Sequence, residues 1–274
     1  MFKKIGLILI AGLLLSACST KTKVKTPPER QVRQLINALP VAKRPFLVVF
    51  PHSTGKLLTF YLDRVGDSYK QSTIDLEYLS GNSLKGGRTT IDLPKSMPYS
   101  QAFLLGSCSS GGKCSFDTDL ISGNIKNKLD DGSETLNVLK SDFVFVNKGG
   151  VTSTDGRVSY TPTSTKQKDQ IMMDTQGLPK DIDGELAYGP IAISAVNSTK
   201  IAGKLNFRVS GVTKVMIYDG DNFQPLKAII SEDTVAVELS QNPWNKAVTI
   251  IRDDLKGANE TAQLYLLGPI ILLK

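Results

Sequence analysis

Cys108 and Cys114 flank the loop Ser-Ser-Gly-Gly-Lys, and two thiols at that spacing have three chemical uses. They can ligate a metal, attack a substrate, or close the turn as a cystine. A redox C-x-x-C motif is excluded, because five residues separate them rather than two. The one histidine, His52, lies in "FPHSTGKLL", which has a superficial likeness to a phosphate-binding loop. A Walker A loop needs Gly five positions before its Gly-Lys and Ser or Thr after the lysine. Phe50 and Leu57 hold those places, so the segment reads as a turn between strands, with His52 facing solvent. No G-x-S-x-G elbow occurs that would supply a nucleophile for it.

Two acidic stretches, "DIDGE" at 181–185 and "DGDN" at 219–222, invite a calcium reading. An EF-hand loop needs oxygen ligands at positions 1, 3 and 5, Gly at 6 and Glu at 12. From Asp219 those last three places fall on Phe223, Gln224 and Ile230; from Asp181 the sixth is Leu186. Both stretches read as turns. Trp244, in "QNPWNK", is the single tryptophan and the one candidate ligand contact. It either stacks on a sugar, with Asn242 and Asn245 as hydroxyl partners, or folds back onto its own sheet. No catalytic residue, metal site or cofactor is assigned.

The amino terminus is more specific. Lys3 and Lys4 precede an apolar run from Ile5 to Leu15, and small residues lead to Cys18. This is the layout of a secretory signal, too short to span a bilayer as a stable helix. Leu15-Ser16-Ala17-Cys18 resembles the lipobox of bacterial lipoproteins. The resemblance covers about twenty residues and implies cleavage before Cys18, a diacylglyceryl thioether on its sulfur and an acyl chain on its nitrogen. One chain anchors only marginally, at about 0.8 kcal/mol per buried CH₂, whereas three hold permanently. Ser19 replaces the Asp of an inner-membrane retention signal, which points to the outer membrane, with the body facing the periplasm; in a cell with one membrane that rule does not apply, and the alternative is a Gram-positive surface.

That assignment settles the cysteine count. With Cys18 acylated, Cys108 and Cys114 remain as a pair in an oxidising compartment, and a local disulfide is expected. Two cysteines and one histidine do not complete a four-ligand zinc site. Location also reinterprets the charge. The chain carries +7, but Lys21, Lys23, Lys25, Arg30 and Arg33 stand against Glu29 alone in residues 18–33. The rest of the body is nearly neutral, unlike a nucleic-acid-binding domain, which concentrates cations on its folded surface. Beside a lipid anchor the cluster either favours anionic head groups or acts as a solvated spacer.

"TPPERQVRQLINALP" has capping-box spacing at Thr26 and Glu29, then Val32, Leu35, Ile36 and Leu39 on one helical face. A short amphipathic helix is expected there. From Phe46 onward the pattern is β: Ile74, Leu76 and Tyr78 alternate, as do Leu205, Phe207 and Val209. Twelve candidate strands, from "FLVVF" to "QLYLLGPIILLK", give a mostly β fold class with two β-sandwich-like domains after the helix. Residues 1–17 are the signal, 18–30 the basic tether, 31–147 the first β domain and 148–274 the second. The Gly-, Ser-, Thr- and Lys-rich stretch near 147–170 reads as a linker or long loop. The apolar end, 264–273, reads either as a buried strand kinked at Gly268-Pro269 or as a strand offered to a partner.

The function expected from this pattern is a non-enzymatic, membrane-anchored accessory protein of an envelope assembly of secretion, adhesion or pilus type, with a protein partner. A glycan- or peptidoglycan-binding module, with Trp244 and Tyr188 or Tyr218 exposed together, is the alternative. A hydrolase with two converging carboxylates is a third.

Overall fold

The computed structural model describes residues 32–93, 96–109, 112–164 and 169–274. The expected signal, the tether and Cys18 lie outside the described residues. The described chain is built of strands, with two single-turn 3₁₀ segments. The first half contains β1 (Arg33–Ile36), β2 (Phe46–Pro51), β3 (Leu57–Asp63), β4 (Gln71–Ser80), β5 (Ser83–Asp92) and β6 (Tyr99–Leu104). It continues with β7 (Gly106–Cys108), β8 (Cys114–Phe116), β9 (Leu120–Asp130) and β10 (Thr135–Phe145). Then come β11 (Val151–Thr152), β12 (Val158–Pro162), β13 (Gln170–Asp174), β14 (Leu186–Ala195), β15 (Ile201–Arg208) and β16 (Lys214–Tyr218). The last are β17 (Phe223–Pro225), β18 (Ile229–Ile230), β19 (Thr234–Gln241), β20 (Trp244–Arg252) and β21 (Ala258–Leu273).

A large sheet runs β2-β3-β6-β20-β21-β14-β13-β10-β9-β4-β5, with β1 beside β10 and β16–β17 beside β21. A second sheet runs β11-β12-β15-β19-β18. The large sheet curls until β2 lies across β13 and β14. Ser194 Oγ donates to the Val49 carbonyl at 2.8 Å, and the Gln176 amide reaches the Leu47 carbonyl. Phe50, Phe60, Ile74, Leu76 and Phe143 fill the space inside this curl. The other face of β13, β14 and β21 is covered by the second sheet, whose Val158, Tyr160, Leu205, Phe207, Val235 and Val237 form another core.

The central strands therefore serve both cores by simple alternation, since neighbouring residues on a strand face opposite ways. Met173, Ala192, Leu264 and Leu266 face the first core, and Met172, Ile193 and Leu267 face the second. The expected division at 147/148 does not mark a change of core, since Ile171, Met173, Ala192, Ile250 and Leu266 belong to the first core with Phe145. It does not separate two sheets: β20 and β21 stand between β6 and β14, joining both halves of the chain.

Two expectations need correction, and of the two readings of the apolar end the buried strand is the one observed. The helix over 32–39 is absent, because Arg33–Ile36 is a strand paired in parallel with Thr135–Val138. An isolated helix of a dozen residues is marginal, and the part of β10 left uncovered by β13 supplies hydrogen bonds instead. The supposed linker forms the β11–β12 hairpin, with Val158 and Tyr160 fully buried. The apolar end is core: β21 is flanked by β14 on one side and by β20, then β16, on the other. Residues 270–273 thus have a strand on each side. Pro269 is tolerated in so central a strand because the ladder to β14 shifts register around it.

Candidate docking site

The disulfide is present. Cys108 and Cys114 are bonded, face each other across β7 and β8, and are exposed. Gly106 opens the hairpin because a Cβ there would fall 2.1 Å from the Ser115 carbonyl oxygen. The base is fastened by Asp117, buried beneath the hairpin, which accepts a 2.6 Å hydrogen bond from the Tyr78 hydroxyl and pairs with Lys85. Burial and this carboxylate together hold the Tyr78 phenol above its ordinary range. Phe116 follows, 40 % exposed, with the Lys56 ammonium 4.5 Å above its ring. The cystine closes a short loop, for which chain entropy gives about 2 kcal/mol. Replacing both cysteines by serine is therefore expected to lower unfolding stability by about 2 kcal/mol, read as an earlier urea midpoint with an unchanged slope.

Beside this hairpin stands the β4–β5 hairpin. Its two-residue turn, Gly81–Asn82, has Gly81 at φ 53°, the conformation that places glycine first in such turns. Tyr78 and Leu120 face inward, so Leu79 and Ile121 face outward, and Leu84 lies opposite Leu79. Leu84 is 69 % exposed and Ile121 51 %. Further along the same outer face the side chains are ionic. Asp75 pairs with Arg88 and with Lys128, and Glu77 with Lys126. Burial acts to raise the Asp75 pKa, but the two cations outweigh it and hold the carboxyl below its usual range.

β5 is the last strand of the large sheet. Its paired glycines are both required by close approach: a Cβ on Gly87 would meet the Phe103 ring at 2.6 Å, and one on Gly86 the Leu76 carbonyl at 2.1 Å. On the outer side they leave an open groove of about 450 Å³, bordered by Asp75, Glu77, Leu84, Lys85 and Arg88.

The other residues singled out from the sequence are scattered. Trp244 folds back: its indole N–H donates to the Gly268 carbonyl at 2.6 Å, and Gly220 rests against its ring. One side still borders a cleft of about 90 Å³ with Phe46, Tyr61, Asp63, Tyr218 and Lys246. Tyr218 is edge-on to Trp244 at 5.7 Å, while Tyr188 is elsewhere, packed on Phe207. In the cleft Tyr61 donates to Asp63 at 2.6 Å and receives a hydrogen bond from Lys246 at 2.6 Å.

His52 is not solvent-facing. It is 3 % exposed, with Nε2 3.4 Å from Glu260 and Nδ1 3.0 Å from the Thr54 hydroxyl. Burial lowers its pKa against the opposing pull of Glu260. The Asp219 carboxylate accepts from the Asp221 and Asn222 amides, closing the β16–β17 turn as expected. Among the described residues no three His, Cys, Asp or Glu side chains converge as metal ligands. Asp142 and Asp174 do share a crevice, but it holds only about 10 Å³, room for about one water.

Sequence reasoning missed this end of the sheet because its parts are individually bland: an exposed leucine, a Gly-Gly pair and an isoleucine. The one local signal was the cystine. No family model, curated protein or solved structure matches the chain.

Proposed function

We propose that the protein is a non-enzymatic, lipid-anchored accessory component of the cell envelope that holds a protein partner in a secretion, adhesion or pilus-type assembly. One observation carries the reading: the body is polar. Arg33, near where the described chain begins, pairs with Thr135 beside the far end of β9, whereas Phe116, Ile121, Leu84 and the stapled hairpin lie towards its start. β9 has 11 residues, which at about 3.3 Å each separates the two ends by about 33 Å. Among the described residues, the end of β9 beside Arg33 carries a single exposed large apolar side chain, Ile36, whereas the opposite end carries Leu84, Ile121 and Phe116. Such groups near one another mark interaction sites.

Two measurements test this. Cys18→Ala is expected to abolish acyl labelling and release the protein from membranes; persistent labelling would overturn the anchor. A photo-crosslinking residue at Phe116 should give discrete protein adducts in the native envelope, and the same residue at Ile36 should not. Equal adducts from both ends would overturn the polarity.

A second reading, glycan binding, is supported by the Trp244 cleft, where aromatic edges meet Asp63 and Lys246. Because Trp244 is the sole tryptophan, its fluorescence reports that cleft alone. A saturable change on titration with peptidoglycan fragments would favour this reading.

A further inference from the structure

We infer that the free edge of β5 is a strand-acceptor site for an extended segment of a partner protein, with one bulky apolar side chain seated in the groove over Gly86. The inference rests on the accessory-protein reading above and specifies the kind of partner.

The backbone comes first. All ten residues of β5 pair with β4, and among the described residues nothing pairs with its other side. Ser80 and Ser83 flank the two-residue turn and form its closing hydrogen-bonded pair. Counting from Ser83, the N–H and C=O groups of Leu84, Gly86, Arg88 and Thr90 point away from β4. A row of alternating donors and acceptors at strand spacing is complemented by another polypeptide strand; lipid and glycan offer no such row.

Native sheets usually blunt such an edge with charge, proline or a bulge. Here the blunting is weak. Lys85 and Arg88 are engaged by Asp117 and Asp75, and the middle of the strand is Gly86-Gly87 flanked by exposed Leu84. The groove at Gly86 is where a large side chain from a neighbouring strand would lie, since a ring laid across glycine replaces the missing cross-strand contact. Leu84 supplies an apolar wall and the Arg88 stem the opposite one.

Charge argues against a second copy of this chain as the occupant. Antiparallel pairing of two β5 strands puts Leu84 over the other copy's Gly86 in only one face-preserving register. That register sets Lys85 against the same lysine of the other copy, and like charges directly opposite destabilise a sheet. A partner strand with neutral or acidic residues opposite Lys85 and Arg88 has no such conflict.

The test uses the full lipidated chain in detergent and a fluorescein-labelled probe peptide, TVETWEVTT, whose tryptophan falls opposite Gly86 when a glutamate lies opposite Arg88. Saturable binding at micromolar concentration is expected by anisotropy, at least tenfold weaker for TVETAEVTT. Thr90→Pro, which removes an outward N–H while sparing the β4 ladder, should cost at least tenfold with an unchanged melting temperature. If that variant melts early, Leu84→Asp takes its place with the same expected loss. Absence of binding, equal binding of the two peptides, full binding by the variants, or self-association that the peptide does not displace would each overturn the inference. Acyl labelling and the Phe116 crosslinks read the accessory-protein proposal separately, so either can fail alone.

Discussion

A chain ending at Gly268 is expected to lose its cooperative unfolding transition. The deletion removes Ile270, Ile271, Leu272 and Leu273, all buried, together with the ladders from β21 to β16 and to the start of β14. Burying one such side chain contributes about 1.5–3 kcal/mol, so four outweigh much of the 5–15 kcal/mol by which whole domains are stable. Calorimetry and near-ultraviolet circular dichroism measure the outcome. A truncated chain that still melts sharply and loses only partner binding would restore the docking role for this segment.

Stability is also expected to depend on one carboxyl. Burial, reinforced by Asp155 and Asp142, pushes Asp174 up to about 7 from 3.8. The folded state therefore holds a proton that the unfolded chain releases. Stability from this group is complete below about pH 4, is lost as pH rises towards 7, and stays lost above it. At about 1.4 kcal/mol per pKa unit the upper bound is about 4 kcal/mol, and partial solvent access brings it nearer 2. Asp174→Asn should unfold later than the parent at pH 8 and with it at pH 4. Parallel pH profiles for the two proteins would sink the assignment.

Strands were legible in two ways, by alternation where one face is wet and by unbroken apolar runs such as β2, which is buried along its whole length. β4 and β15 alternate cleanly because their partners leave one side to polar residues. β9 was hidden because two of its inward places carry Asn127, bonded to Ser72, and Gly123, pressed under Phe143. β13, "QIMMD", has no alternation because both its faces are covered. The β1 segment carried a helical spacing that tertiary pairing overrode, leaving Ile36 54 % exposed. At the candidate site the cystine was legible, since it depends on residue types and compartment. The groove was not, because a vacancy over Gly86 exists only once β4 and β5 are in register.

The position of β21 has a consequence for the order of events during synthesis. It follows every other strand in the sequence, yet it stands in the middle of the large sheet and serves both cores. A nascent chain can form the β4–β5 and β9–β10 hairpins early, but β14 and β6 have nothing between them until residues 244–273 emerge. The large sheet is therefore incomplete until those residues are available. A chain still being made thus has the β6 and β14 edges without their neighbours until β20 and β21 are released.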